Sequence, residues 1–282
     1  MIADTHVHTR LSKDAPQESE NTILSVLAEA GKKGLQYVAE TEHCDIITEK
    51  YCYNVDFSVY EASFAAAERQ QKAAGRSQTR LLYGIELAHA HTHKAEAAAV
   101  LAAHSFDFVL GSLHMPRDGV DIWEAAYQDA YDDETLFAAF ESYVGELYEI
   151  ASECDFDSLA HCTYPLRYFA YNGRMSALCE KPSAFVPLYE AVFRKLIERG
   201  KALEINTSMV DERGVTQPSA DLIKLYKNLG GRLVTIGSDA HHFSLVGRGI
   251  KQAETLLREV GFEGVTVFVG RKARIIPFEN AK

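Results

Sequence analysis

Ile2-Ala-Asp-Thr-His-Val-His-Thr9 decides how this chain reads: a short apolar entry runs straight into two histidines two positions apart. Residues i and i+2 of a strand point to the same side. His6 and His8 therefore aim two imidazoles at one point, where the predicted strand Met1–Thr5 runs out. Imidazole is a ligand for zinc, iron and manganese, and two of them need further donors to complete a shell. The pair alone says little, so the reading turns on whether the rest of the chain brings those donors.

Working outward, short apolar runs alternate with longer amphipathic stretches. Further strands are predicted at Tyr37–Glu40, Arg80–Glu86, Phe108–Gly111, Ser158–Ala160, Ala202–Asn206, Leu233–Gly237 and Val265–Val269. Helices are predicted at Asn21–Lys33, Phe57–Ala74, Lys94–His104, Asp133–Ser152, Ser183–Arg199, Ser219–Leu229 and Lys251–Val260. Glycines follow several of these, including Gly34, Gly75, Gly200, Gly230 and Gly261, as expected where a helix ends in a left-handed residue. Regular βα alternation means an α/β fold on a parallel sheet, open or closed into a barrel. No linker, repeat or composition break divides the chain, so residues 1–282 read as a single domain. Met115–Asp132 and Tyr164–Lys181 read as loops that could cover a site.

The residues that follow each predicted strand supply the missing donors. Glu42 and His43 follow the second strand, and the third ends in Gly-Ile-Glu86. Gly-Ser-Leu-His114 follows the fourth, Ala-His161 the fifth and Gly-Ser-Asp239-Ala-His241 the seventh. In a barrel of parallel strands these C-terminal ends converge on one face, where active sites are built. Glu40 and Glu42 flank His43 and are expected to support ligands or form ion pairs; Asp4 is expected to support the first histidine pair. Cys44 and Cys162 directly follow ligand candidates and should point into the core. His89, His91 and His93 alternate like ligands but have no carboxylate or cysteine at ligand spacing, and they read as a solvated loop.

Five cysteines without a Cys-x-x-Cys pair read as reduced thiols of a cytoplasmic protein. No apolar run reaches the length of a membrane span. A formal net charge of −11 argues against a long nucleic acid as partner. It does not exclude a small phosphorylated metabolite, because a metal cluster can reverse the field inside one pocket. Oligomeric state is not legible.

Asp-Thr-His-Val-His, Glu-His43, Gly-Ile-Glu86, Gly-Ser-Leu-His114, Ala-His161 and Gly-Ser-Asp-Ala-His resemble, in order, the successive motifs of the polymerase and histidinol phosphatase (PHP) family. Within it, His8…Ser12-x-Asp14, Phe-Asp-Ser-Leu-Ala-His161, His161-x5-Arg167 and Leu-Glu-Ile-Asn-Thr-Ser208 are similar to the stand-alone histidinol-phosphate phosphatases. The resemblance implies a distorted seven-stranded (β/α) barrel with three divalent ions, zinc, manganese or iron. It places one ion on His6, His8, Glu86 and Asp239. Glu86 bridges to a second held by His114 and His161, and the third sits on Asp14, His43 and His241. Glu86, Asp239 and Arg167 become the expected catalytic groups, with Arg167 and Arg213 as phosphate contacts. After Asn-Thr-Ser208 the chain departs from the family pattern, with Met209-Val-Asp-Glu-Arg213 in place of Gly-Leu-Arg.

Three such ions against Asp14, Glu86 and Asp239 leave a local charge of about +3, the right sign for a phosphate monoester. Divalent ions also acidify a bound water from a pKa of 15.7 toward about 7, making a nucleophile available at neutral pH. The expected activity is hydrolysis of a phosphate monoester, histidinol phosphate above all. Rival readings are a related phosphoesterase acting on another small ester or a nucleotide, and a metal-binding module without catalysis.

Overall fold

A computed structural model describes residues 1–46, 54–75, 79–117, 132–171 and 185–278. Its central sheet runs β1 (Ala3–Val7), β2 (Tyr37–Glu40), β4 (Arg80–Ala88), β5 (Phe108–Ser112), β6 (Ser158–Leu159), β7 (Ala202–Asn206) and β8 (Val234–Gly237), with β3 (His43–Asp45) paired to β4 beyond the end of β2. Every neighbouring pair in it is parallel. The two edges meet at one seam: Val7 bridges Ala240, the His8 amide donates to the Ala240 carbonyl at 2.8 Å, and the Asp239 amide donates to the His6 carbonyl at 2.8 Å. The result is a nearly closed seven-stranded barrel, the closed form of the two that the βα alternation leaves open.

Strand residues alternate between two apolar clusters, as the period of two demands. Val38, Leu81, Tyr83, Ile85, Val109, Leu203 and Val234 join a large cluster with residues of the surrounding helices. These helices are α1 (Ile23–Lys32), α2 (Phe57–Ala74), α3 (Lys94–Ala103), α4 (Asp133–Glu153), α5 (Tyr164–Tyr171), α6 (Val186–Glu198), α7 (Val210–Arg213), α8 (Ala220–Asn228) and α9 (Ile250–Val260). Ala39, Leu82, Phe108, Leu110, Ala160 and Ala202 form a second cluster that holds no helix residue, which is the barrel interior. The caps follow local chemistry: the Thr22 and Asp56 side chains accept from the first turns of α1 and α2, and Gly75 and Gly261 end α2 and α9 at φ 65° and 93°.

The predicted strand Val265–Val269 forms, but outside the barrel. It is β9 (Gly264–Val269), antiparallel to β10 (Lys272–Pro277), a strand that the sequence reading lacks. Phe268 leaves this hairpin to enter the interior cluster and stacks on Phe108 at 5.5 Å between centroids. Gly270 and Arg271 tie the hairpin turn to Asp107 and Asp157, which immediately precede β5 and β6. One end of the barrel is therefore plugged, leaving the strand C-termini as the open end.

Two further expectations change. Tyr164–Lys181 is not a loop throughout, since Tyr164–Tyr171 is helical; residues 172–184 lie outside the described residues. The region read as a loop at Met115–Asp132 is described only for 115–117 and 132. No described helix is long and apolar enough to cross a membrane.

Candidate metal centre

Interior positions change character along the barrel axis. On β4 the inward series runs from Leu82 past Gly84 to Glu86, and on β7 from Ala202 to Glu204, so apolar filling gives way to buried carboxylates toward the mouth. Glu86 is the centre. Its Oε1 lies 2.8 Å from His161 Nε2 and 3.1 Å from His114 Nε2. Its Oε2 lies 2.9 Å from His43 Nδ1, 3.3 Å from His6 Nε2 and 3.5 Å from His8 Nε2.

The remaining predicted residues gather around it. Asp239 Oδ1 is 3.7 Å from His6 Nε2 and 3.6 Å from His8 Nε2. Asp14 Oδ2 is 3.1 Å from His43 Nε2 and 3.2 Å from His241 Nε2. All nine side chains named for metal binding thus meet at one mouth. Among the described residues, three triplets of these nine side chains bring donor atoms within 4.8 Å of one another: His6–His8–Glu86, His43–Glu86–His114 and His8–His43–His241. Arg167, on α5, reaches Asp239 Oδ2 at 3.8 Å. Arg213 is exposed on the last turn of α7.

Charge confirms that these groups act on one another. Burial opposes protonation of His6, His43 and His114, but the carboxylates around them outweigh it and hold all three above the usual imidazole range, His114 at about 10. His8 goes the other way, pushed to about 3 by burial and then by His43 and His241. Burial would raise Glu86 and Asp239, yet the imidazoles hold both well below the usual carboxylate range. A divalent cation placed among these atoms would replace the ring protons and satisfy the same carboxylates. Imidazole and carboxylate donors without thiolate suit zinc, manganese or iron. Cys44 and Cys162 are buried in the outer core, as their places in the sequence suggest.

The sequence reading missed the residue that fixes two of these histidines. Glu204 Oε1 is 2.7 Å from His6 Nδ1, and its Oε2 accepts the His161 amide at 2.7 Å. A carboxylate on Nδ1 sets the tautomer, leaving Nε2 of His6 free to face Glu86. The available signal was a carboxylate at an inward position of the alternating run Ala202–Asn206. Gly237 makes the room: a Cβ there would lie 2.3 Å from His6 Cβ and 2.4 Å from Glu204 Oε1. Gly237→Ala is expected to destabilise the fold by about 1–3 kcal/mol through overpacking, read as a lower melting temperature. A melt matching that of the parent protein would remove Gly237 as the spacer for this pair.

Other supporting residues divide as follows. Glu42 accepts from the Thr9 amide at 3.0 Å and from Ser12 Oγ at 2.5 Å, and Ser12 Oγ in turn accepts the His43 amide at 3.1 Å, so Glu42 does brace the site. Glu40 does not: among the described residues neither carboxyl oxygen has a hydrogen-bond partner, and burial followed by the charges of Glu42 and Asp4 raises it well above the carboxylate range. Asp4 accepts from the amides of Ser238 at 2.8 Å and Gly247 at 2.7 Å, bracing the segment that carries Asp239 more than the first histidine pair. The expectation of a solvated loop at His89–His93 is overturned, because His89 and His91 are buried. His91 Nε2 lies 2.7 Å from Glu146 Oε2 on α4, a partner too distant in sequence for spacing to reveal.

The sequence model of the family described as PHP domain matches residues 4–208. A probable histidinol-phosphatase of Clostridium acetobutylicum is 28% identical over 257 residues, covering 90% of this chain and 91% of that protein. A histidinol-phosphatase of Lactococcus lactis is 27% identical, covering 95% of each chain. Among solved structures, the histidinol phosphate phosphatase of Lactococcus lactis, complexed with zinc, L-histidinol and phosphate, superimposes with a TM-score of 0.75 at 23% identity, covering 97% of this chain and 100% of that one. A putative histidinol phosphatase of Listeria monocytogenes follows with a TM-score of 0.70 at 15% identity, covering 89% and 99%. These two likenesses bear on the fold.

Proposed function

The chain belongs to the PHP domain family, and from that premise we propose that it is a divalent-metal-dependent phosphomonoesterase that hydrolyses L-histidinol phosphate to L-histidinol and phosphate. The observation that carries this reading is Glu86, whose two buried oxygens are ringed by five histidines at the mouth of the barrel. Relatives aligned over at least 90% of the chain are named for that activity.

In this reading one ion takes His6, His8, Glu86 and Asp239, a second Glu86, His114 and His161, and a third Asp14, His43 and His241. Bound ions of this kind supply an acidified water and neutralise charge developing on the phosphoryl oxygens. The chain's own residues do the rest. Glu204 holds His6 and His161 in register, and Ser12 links Glu42 to the His43 backbone. Arg167 lies against Asp239, where its planar fork can take two oxygens of the substrate phosphate and fix it for in-line attack. Tyr164, with its ring 5.2 Å from that of His161 and 5.6 Å from that of His114, walls one side of the mouth and limits water there. Arg213, exposed on α7, is the weaker candidate for a second phosphate contact.

Phosphate release from p-nitrophenyl phosphate should vanish with chelator and return with Mn²⁺ or Zn²⁺. The specificity constant for histidinol phosphate should exceed that for other phosphorylated metabolites by at least about 10²-fold. A flat profile across the panel would defeat the substrate assignment, and chelator-resistant hydrolysis would defeat the metal dependence.

A further inference from the structure

Asp45, His89 and His114 bring one donor atom each within 4.8 Å of one another beside the main cluster. Neither Asp45 nor His89 belongs to the nine residues assigned above. Asp45 ends β3, the short strand that extends along β4 past the end of β2, and His89 directly follows β4. Both are 2% exposed, so water does not compensate their polar atoms. Asp45 Oδ2 lies 3.1 Å from His114 Nδ1 and its Oδ1 3.7 Å from His43 Nδ1, whereas among the described residues His89 Nε2 has no hydrogen-bond partner. Leaving such a buried atom unsatisfied costs about 1–3 kcal/mol. The His89 backbone sits at φ 62°, a left-handed conformation that a bulky side chain seldom adopts.

We propose that Asp45, His89 and His114 form a fourth divalent-cation site, set outside the main cluster and joined to it through the His114 ring, which would serve both as an imidazolate once the outer cation displaces the Nδ1 proton, now shared with Asp45, to solvent. His114 faces Asp45 with Nδ1 and Glu86 with Nε2, so it stands between the two groups. Two imidazoles and one carboxylate select a borderline transition ion such as Zn²⁺ or Mn²⁺ over calcium or magnesium. With three donors, one of them shared, the outer ion binds more weakly than those held around Glu86.

The test is a Zn²⁺ titration of the metal-stripped full chain by equilibrium dialysis, counting ions per chain. The parent protein should take up one weak equivalent beyond those of the main cluster, and His89→Asn should lack that equivalent alone. Asn tolerates the left-handed backbone and leaves the nine other side chains in place, so the variant should fold. Asp45→Asn should lose the same equivalent, and circular dichroism reports whether each variant is folded. Equal ion counts in the parent and a folded His89→Asn would overturn the proposal, leaving a buried water as the partner of these atoms. The result is independent of the phosphatase reading: a protein with the extra equivalent and no phosphatase activity would sink that reading and keep this one.

Discussion

Glu86→Gln is expected to lower kcat/KM at least about 10³-fold, or ~4 kcal/mol of transition-state stabilisation, and to cut metal content measured on the same sample. The substitution keeps the size of the side chain and removes its charge. That charge serves five histidines at once, at 2.8–3.5 Å. An amide offers one oxygen where the carboxylate offers two, so the two groups of residues that would hold the first two ions would lose the charged donor they share. The pocket of Asp14, His43 and His241 makes its own short contacts and should keep the most affinity. A variant with unchanged ion content and turnover would show that the cluster is not organised on Glu86, and the proposed function would fall with it.

Arg167→Ala should behave differently. Its expected effect is a loss of about 10²-fold in kcat/KM, ~2.7 kcal/mol, carried mostly by KM, with ion content unchanged. Arg167 reaches Asp239 at a long 3.8 Å, and it sits on α5 rather than on a barrel strand. Arg167→Lys should recover part of the loss, since a lysine restores the charge but not the planar fork. A KM within twofold of the parent value would remove Arg167 from the phosphate site. Lost ions would reassign it to bracing Asp239.

Much of this was legible because the two physical periods involved are simple. A strand that alternates faces puts His6 and His8 on one side, and parallel strands joined by helices bring every C-terminal end to one mouth. Those rules locate Glu86, His114, His161, Asp239 and His241 without any tertiary information. What escaped depends on contacts between distant segments. Glu204 sits in an apolar run like any other strand residue, and its meaning lies in His6, 198 positions away. His91 looked solvated because Glu146, which pairs with it, lies 55 positions further on in α4. β10 and the plugging role of Phe268 were hidden for the same reason, since a run of exposed and half-buried residues at Lys272–Pro277 has no buried stripe to announce it.

The seam between β1 and β8 has a temporal side. The first donors to leave the ribosome are His6 and His8, and Asp239 and His241 emerge more than two hundred residues later, yet the backbone bonds that join these segments fasten the ring at its mouth. A chain interrupted before Asp239 leaves His6 and His8 without that second carboxylate and without the edge their strand lies against. The donor set proposed for the first ion is therefore complete only once synthesis has passed Asp239.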